Sequence, residues 1–409
     1  MFSRFKQKIR CSRDCASLLA KRGLFSFFCL FPLQNKIIAT TMRGRKYGDN
    51  PQFIFEKIHN LRPEFDLVWL VNDEYSVELP KWLRKISYYK KQVRLIYELS
   101  TAKVWINTHR FERYWRKRRG QFVIETWHGG LGVKKIEGDL DEVRNSKRDM
   151  AEIRNTCFVS DVFVSQSSHL SNIYRSAFGY KGTIWKCGYP KNDCLFIGSD
   201  SAKNKIRTLY KTKEHILLYA PTMREGDQDS SKPTKKPYSI EWDALYSACC
   251  EKFGGDWTIL VKWHPVLMNK LSSDFILSKH VINVTNYSDM QELLKASDVV
   301  VSDYSSCIFD AALLDIPCFT YATDFEEYKS KRGVYYEMTE LPFPYARNND
   351  ELKKNIMNFN QKDYLRKWNA FKEKTGLYET GHAADDVAKK IIQFVDSGKI
   401  KWNVEDLIM

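Results

Sequence analysis

The sequence predicts an α/β protein built of two doubly wound domains, in which helices cover both faces of a parallel sheet. Three observations lead to this prediction. Short β-rich apolar runs alternate with longer amphipathic stretches, which is the pattern of parallel strands joined by crossover helices. A polar stretch over 199–214 separates two sets of such runs. The length of 409 residues suits two or three domains.

The predicted strands are 36–40, 67–71, 93–97, 103–106, 122–126, 162–165 and 183–186 in the first set, and 215–220, 257–263, 281–283, 299–302 and 317–321 in the second. The predicted helices are 51–62, 141–155, 167–178, 240–253, 290–296 and 306–314, with a last helical region over about 350–394. We therefore expect domains over 36–205 and 206–375, and a C-terminal helix within 376–409 that packs back on the first domain. Ligands of such sheets bind beyond the carboxyl ends of the strands, so two facing sheets would enclose a cleft.

The composition narrows the class of protein. Apolar residues make up 43% and charged residues 28%, which excludes a disordered chain. Lys and Arg outnumber Asp and Glu by 65 to 50, and the net charge of +15 indicates an anionic partner. The ten cysteines form no C-x-x-C pair, so the spacing predicts reduced thiols rather than a zinc site.

Residues 1–35 form a basic and apolar segment. The apolar run LFSFFCLFPL at 24–33 is too short to span a bilayer, which takes about 20 residues. Basic residues precede it and no small-residue cleavage site follows, so a membrane-associating element in an anionic interface fits better than a signal peptide. The alternative is a first helix packed on the body of the protein.

Two further basic clusters, at 81–94 and 110–119, are interleaved with aromatic residues. This composition suits lipid headgroups, because Trp and Tyr favour that depth and each basic residue contributes about 1 kcal/mol. It would also serve single-stranded nucleic acid, and for any one cluster it is typical of a solvated helix face.

Two histidines follow predicted strands directly, one in each domain. His128 comes just after the strand over 122–126 and precedes Gly129, which lets a ligand approach the backbone closely. His264 ends the run TILVKW, and Lys262 shares its face if the strand pleat continues that far. A histidine can take a proton from a hydroxyl near neutral pH. For each histidine, the alternative is a side chain packed in its own turn.

Polar turns after two other strands of the second domain are typical of a phosphate site. Thr222 and Arg224 follow the strand over 215–220, where a guanidinium could hold a phosphate or simply pair with a neighbouring carboxylate. Asp303, Ser305 and Ser306 lie between a strand and a helical run, and helix starts bind phosphate through backbone N–H groups. Helix capping alone would need only one of the two serines.

A last candidate turn contains Glu327, which suits ribose hydroxyls, and Arg332, which suits a phosphate, although both also fit a solvated loop. The acidic pairs Asp139/Asp141 and Asp227/Asp229 follow no strand, so we interpret them as loops. The sequence therefore predicts no metal ligand set and no cofactor.

Taken in order, these motifs resemble those of the CDP-glycerol glycerophosphotransferase family, the teichoic acid primases and polymerases. The matching segments are YGDNP at 47–51, TWHG at 126–129, YAPT at 219–222, HP at 264–265, SDYSS at 302–306, FEEY at 325–328 and RG at 332–333. The resemblance implies two Rossmann-like domains in the GT-B arrangement, with the nucleotide bound mainly by the second. The chain has Gly130–Leu131–Gly132 where the family usually has a proline, so the acceptor and the exact polyol stay open.

The resemblance also implies a reaction and a location. Glycerol phosphate would pass from CDP-glycerol to a hydroxyl of a polyprenyl-diphosphate-linked acceptor, and CMP would leave. His128 would be the general base, and His264 would contact the transferring phosphate or share the proton. The remaining substrate-binding residues would be Gly129, Thr222, Arg224, Lys262, Asp303, Ser305, Ser306, Glu327 and Arg332. The enzyme would be a peripheral protein on the cytoplasmic face of the membrane, docked on its anionic surface.

Three other functions fit parts of the pattern. A GT-B glycosyltransferase would share the fold but use a nucleotide sugar, and a CDP-ribitol or other polyol-phosphate transferase would share the chemistry. A nucleic-acid-binding protein would use the aromatic and basic clusters but would give neither histidine a task, so we expect no nucleic acid partner.

Overall fold

The computed structural model describes residues 2–140, 146–198, 200–224, 238–264 and 278–400, with side chains from residue 14 onward. They form two compact units. The described residues of Met1–His128, Glu137–Lys191 and Tyr378–Met409 make the first unit, and those of Gly129–Ile136 and Asn192–Leu377 make the second. The polar residues 225–236, which include Asp227 and Asp229, lie outside the described residues.

The first unit is a seven-stranded parallel sheet with helices on both faces. Its elements are α1 (Phe2–Phe28), β1 (Gln34–Ala39), α2 (Asp49–Leu61), β2 (Asp66–Val71), β3 (Arg84–Ser87), α3 (Gln92–Thr101), β4 (Ala102–Asn107), β5 (Phe122–Glu125), α4 (Lys147–Val159), β6 (Val162–Ser165), α5 (Ser168–Ala177), β7 (Thr183–Lys186) and α13 (Ala383–Ser397). The strand order is β3-β2-β1-β4-β5-β6-β7. The order reverses between β1 and β4, which is where Rossmann-like sheets bind ligands.

The second unit repeats this plan with six parallel strands. Its elements are α6 (Asp200–Tyr210), β8 (His215–Ala220), α7 (Trp242–Phe253), β9 (Trp257–Val261), β10 (Val281–Asn283), α8 (Met290–Ala296), β11 (Val299–Ser302), α9 (Cys307–Ala312), β12 (Cys318–Tyr321), α10 (Phe325–Arg332), β13 (Tyr345–Ala346), α11 (Asn349–Met357) and α12 (Gln361–Thr375). The order β10-β9-β8-β11-β12-β13 is that of a Rossmann fold, with its switch point between β8 and β11. Short 3₁₀ helices lie at Met42–Gly44, Glu137–Asp139, Pro190–Phe196 and Met338–Glu340.

The structure corrects two elements of the predicted secondary structure. The run at 93–97, predicted as a strand, lies inside α3, where Leu95, Ile96 and Leu99 are buried at helical spacing. The polar stretch over 199–214, predicted as the separator between domains, contains α6. Ala202 and Ile206 of α6 are buried one turn apart, so this helix belongs to the second unit and the chain enters that unit at Asn192.

The first and last helices both pack within the first unit. Phe25 of α1 is buried against Trp105 of β4, with 6.1 Å between ring centroids. Phe394 of α13 stacks near Phe122 of β5, with 5.1 Å between centroids, and Lys57 of α2 pairs with Asp385 of α13 at 3.1 Å. Within the described part of the chain, we find no helix whose length and apolar character would let it cross a bilayer.

Candidate functional site

The turn after β5 carries His128, and hydrogen bonds from buried polar groups hold this turn in place. The carboxylate of Glu125 accepts hydrogen bonds from the Trp127 backbone N–H at 2.8 Å and from the Asn107 amide at 3.3 Å. Complete burial raises the pKa of Glu125 well above its ordinary value. The hydroxyl of Thr126 donates to the Asn107 carbonyl at 3.1 Å. These contacts fix the path of the chain into His128.

Trp127 adopts the left-handed conformation with a φ of 54° although it is a buried aromatic residue. Such a backbone costs about 1–3 kcal/mol and persists only where surrounding contacts impose it. Asn50, at the start of α2, supplies such contacts: its amide nitrogen lies 3.5 Å from the Thr126 carbonyl oxygen and 3.4 Å from that of Trp127. The Asn50 side-chain oxygen in turn accepts from the Lys191 N–H at 3.2 Å.

The imidazole of His128 is oriented by a backbone carbonyl. Its Nδ1 lies 2.7 Å from the carbonyl oxygen of Thr108, at the end of β4. A carbonyl oxygen only accepts, so Nδ1 carries the proton, and in the neutral ring the lone pair is on Nε2. The neighbouring ring of His109 has its centroid 5.5 Å away, and burial first, then repulsion by His128, lowers the pKa of His109 well below its ordinary value. With the proton on Nδ1, the nitrogen of His128 that can accept a proton in the neutral ring is Nε2.

In the second unit, the turns after β8 and β11 lie at the switch point of the sheet. The Asp303 carboxylate accepts from the Thr222 N–H at 2.8 Å and from the Tyr304 N–H at 2.6 Å, so it ties the two turns together. Ser302 adds a bond from its hydroxyl to the Ala220 carbonyl at 2.7 Å. The two strand ends singled out by the sequence are thus joined by the side chains of Ser302 and Asp303.

Arg224 is held by protein carboxylates. It is 7% exposed and contacts Asp303 at 2.7 Å and Asp324 through two bonds of 2.7 and 3.0 Å. Burial alone would lower the pKa of Arg224, but the two carboxylates outweigh it and raise the pKa. The guanidinium also lies 4.7 Å from the ring centroid of Tyr304. Asp303 and Asp324 are therefore among its partners, which matches the pairing with a carboxylate that the sequence left open beside a phosphate.

The two serines before α9 lie in different local settings. The N–H of Cys307 donates to the Ser305 hydroxyl at 3.5 Å, a long bond that weakly caps the helix. Ser306 occupies the N-cap position, yet its side chain makes no capping bond. Both serines are half-buried. Capping therefore accounts for Ser305 at most and leaves the Ser306 hydroxyl without that role.

Lys262 and His264 come after the last residue of β9, so the strand pleat does not extend to them. The Lys262 ammonium donates to the Thr285 carbonyl at 3.4 Å and also to the Tyr287 carbonyl. The Trp263 N–H between them donates to the Thr285 hydroxyl at 3.0 Å. Lys262 thus supports the loop after β10, and His264 is half-buried at the end of the described stretch.

Glu327 and Arg332 both lie on α10. Glu327 is exposed and pairs with Lys331 one turn later, beside a cleft of about 450 Å³ that Asp324 and Arg347 also line. Arg332 is half-buried at the last residue of the helix. Because Glu327 is exposed and paired with Lys331, its setting is closer to the solvated loop predicted as the alternative than to a preformed ribose site.

Asp139, which the sequence placed in a loop, is the last residue of the 3₁₀ helix Glu137–Asp139 and accepts a 2.8 Å bond from the Ser176 hydroxyl. Asp141, Asp227 and Asp229 lie outside the described residues. Over the described ranges, no group of three or more His, Cys, Asp or Glu side chains could hold a metal ion.

The segment Gly129–Ile136 leaves the His128 turn and joins the second unit. The Tyr335 N–H donates to the Val133 carbonyl at 2.7 Å, and the Lys135 N–H donates to the Gly333 carbonyl at 3.1 Å. Gly132 packs on Ser306, since a Cβ added to Gly132 would lie 3.6 Å from the Cβ of Ser306. Gly129 therefore begins a segment that reaches the turn after β11, which the sequence patterns did not indicate.

Comparison with known proteins identifies the family. The sequence profile described as CDP-glycerol:poly(glycerophosphate) glycerophosphotransferase matches residues 24–393. A teichoic acid poly(glycerol phosphate) polymerase of Staphylococcus epidermidis is 28% identical over 87% of this chain and 50% of its own length. A teichoic acid glycerol-phosphate transferase of Staphylococcus aureus is 25% identical over 90% of this chain and 96% of its own length.

The solved structure of the wall teichoic acid polymerase TagF is similar over 97% of this chain and 99% of that chain, with a TM-score of 0.80 and 25% identity. A TagF variant soaked with CDPG has the same TM-score. The chain spans half the length of the polymerases from S. epidermidis and Bacillus subtilis that it matches. The profile match over most of the chain shows that this protein belongs to the CDP-glycerol:poly(glycerophosphate) glycerophosphotransferase family.

Proposed function

We propose that this protein transfers glycerol phosphate from CDP-glycerol to a hydroxyl of a polyprenyl-diphosphate-linked acceptor, as in teichoic acid or capsule-type polymer synthesis. The observation that carries the proposal is the 2.7 Å contact between Nδ1 of His128 and the Thr108 carbonyl. It puts the proton on Nδ1 and the lone pair of the neutral ring on Nε2, in the turn that Trp127 enters with a positive φ, and a histidine in this tautomer can take the proton of a hydroxyl through Nε2. The names of the relatives support the choice of donor.

The proposed reaction is a substitution at the phosphorus that carries glycerol. The acceptor hydroxyl oxygen attacks that phosphorus while Nε2 of His128 takes the hydroxyl proton. The bond from the phosphorus to the oxygen bridging it to CMP breaks, and CMP leaves with the electron pair. Base catalysis of this kind contributes about 10²–10⁴-fold.

The second unit is proposed to bind the donor. Ser305, Ser306, Gly129 and Arg332 would contact the diphosphate, and His264 would contact the transferring phosphate. The first unit would then bind the acceptor. In this proposal the hydrogen bonds and ion pairs among Thr222, Arg224 and Asp303 hold the turns that form the donor site. Lys262 supports the neighbouring loop after β10. Glu327 would leave Lys331 and bind the ribose hydroxyls. No step requires a cofactor or a metal ion.

A surface of the first unit supports peripheral binding to the cytoplasmic face of the membrane. Phe27 and Leu30, at the end of α1 and just after it, are 55% and 80% exposed. Beside them, Lys90, Lys91 and Arg94 line a recess of about 650 Å³ together with Phe28. Apolar side chains next to clustered basic ones are what an anionic lipid interface binds. We call the surface formed by these apolar and basic residues the α1 patch. One face of α1 is buried against the sheet, and the other contributes to this exposed surface.

Replacement of His128 with alanine tests the proposed function. With CDP-glycerol and a lipid-linked acceptor, CMP release should fall by about 10²–10⁴-fold, while CDP-glycerol affinity stays near that of the wild type. His59→Ala is the matched control, because His59 lies in the same unit and only stacks on Trp82. Unchanged CMP release by the His128 variant would refute the assigned base.

The same assay distinguishes the alternatives. Release of UDP from nucleotide sugars, with none of CMP from CDP-glycerol, would show a glycosyltransferase instead. Faster CMP release from CDP-ribitol than from CDP-glycerol would identify a ribitol-phosphate transferase. A poly(ribitol-phosphate) polymerase of Bacillus spizizenii is itself 25% identical over 83% of this chain, so this comparison of donors is necessary.

A further inference from the structure

We propose that Lys134 binds the diphosphate of CDP-glycerol at the turn after β11. This inference rests on the proposed function and adds to it a residue that no motif of the sequence indicated. Lys134 lies in the segment Gly129–Ile136, six residues after His128.

The backbone fixes where Lys134 lies. It forms an antiparallel bridge with Val334, and bonds from Val133 to Tyr335 and from Lys135 to Gly333 flank that bridge. Two residues earlier, Gly132 packs on Ser306. Lys134 is therefore held between the end of α10 and the start of α9, next to the turn that carries the two serines.

The charged groups around Lys134 are part of the candidate donor site. Burial is the first cause that lowers the pKa of its ammonium; Asp303 opposes that shift, while Arg332 and Arg224 add to it by repulsion. The carboxylate of Asp303 is already bonded to Arg224 at 2.7 Å. The guanidinium groups of Arg332 and Arg224 thus repel the Lys134 ammonium, and the carboxylate that attracts it, Asp303, already pairs with Arg224.

Among the residues that the structure describes, none forms an ion pair with Lys134. Counting only the parts of the chain that the structure describes, no carboxylate oxygen lies within 4.0 Å of its ammonium. A half-buried ammonium without a partner, next to two guanidinium groups, is unfavourable in the absence of an anion. A diphosphate would supply the missing charge and the acceptor oxygens together.

Binding measurements on purified protein test this assignment. In calorimetric titrations with CDP-glycerol, Lys134→Met should weaken affinity by about tenfold or more, as expected for loss of a hydrogen bond to a charged group. Lys134→Arg, which keeps the charge, should retain most of the affinity. Affinity for cytidine, which has no phosphate, should be the same in all variants.

Lys135→Met is the matched control, because its backbone bond to Gly333 does not depend on the side chain. A thermal unfolding midpoint near that of the wild type shows that each variant is folded, and Lys134→Gln replaces Lys134→Met if the methionine variant is unstable. Wild-type binding together with unchanged affinity of the Lys134 variants would overturn this inference alone. A wild-type protein that binds no CDP-glycerol would overturn the proposed function and this inference with it.

Discussion

Replacing Arg224 with methionine should strongly destabilise the second unit. The guanidinium is buried between Asp303 and Asp324, and it also donates to the Thr222 carbonyl at 2.6 Å. Methionine keeps much of the side-chain volume but removes the cation that is bonded directly to both Asp303 and Asp324. The variant therefore isolates the electrostatic role of Arg224 from its packing.

The expected loss of stability follows from the burial of the pair. Removing one partner of a buried ion pair costs about 3–5 kcal/mol. In a domain of 150–250 residues, each kcal/mol lowers the unfolding midpoint by about 2–4 °C. The midpoint of the second unit should therefore fall by roughly 6–20 °C. Arg366→Met is the control, since Arg366 only pairs with Asp363 on the surface and such pairs contribute about 0–1 kcal/mol.

Circular dichroism during heating measures the effect, and a double variant tests its cause. Adding Asp324→Asn to Arg224→Met removes one unpaired charge, so the double variant should lose less stability than the sum of the two single variants. A shift below about 3 °C combined with loss of CDP-glycerol affinity would refute this reasoning. Arg224 would then be the phosphate ligand that the sequence suggested.

Three other outcomes can be checked. Asn50→Ala removes the amide contacts to the Thr126 and Trp127 carbonyls, so kcat for CMP release should fall more than tenfold with CDP-glycerol affinity unchanged. Burial alone would raise the pKa of Glu98, but Arg84 and Lys36 outweigh it and lower the pKa to about 2 from 4.5. The Glu98 carboxylate therefore contributes up to about 3 kcal/mol to the free energy of unfolding above pH 4.5, and this contribution is lost as pH falls toward 2. Urea unfolding at a series of pH values should detect the loss, and Glu98→Gln should abolish this pH dependence. Leu30→Ser should weaken sedimentation with anionic vesicles but not change unfolding, and unchanged sedimentation would speak against the α1 patch.

Several strands were predictable to the residue because they are continuous apolar runs bounded by polar turns. The structure has β6 at 162–165 and β11 at 299–302, as predicted. The edge strands β3 and β13 were missed, since β3 is polar and half-exposed and β13 has only two residues. The run VRLIY in α3 has the composition of a strand. It is helical in the structure, where Leu95 and Leu99, one turn apart, are both buried.

The site was predictable where chemistry follows a strand end and unpredictable where it depends on distant partners. The positions of His128 and His264 follow from the runs before them. The contact of Asn50 with the His128 turn joins residues 76 positions apart, and no local pattern encodes it. The sequence likewise shows that Arg224 is charged, but not that a carboxylate 79 positions later neutralises it. Lys134 was missed because the residues around it are distant from it in the sequence.

The chain passes between the two units four times, after His128, Ile136, Lys191 and Leu377. Neither unit is consequently a continuous piece of the polypeptide. A protein truncated at Leu377 would lose α13 and uncover apolar side chains of α2, so its amino-terminal half should aggregate. The ribosome must therefore have synthesised α13 before the amino-terminal unit can close its core, so completion of this unit waits for the translation of residues 383–397.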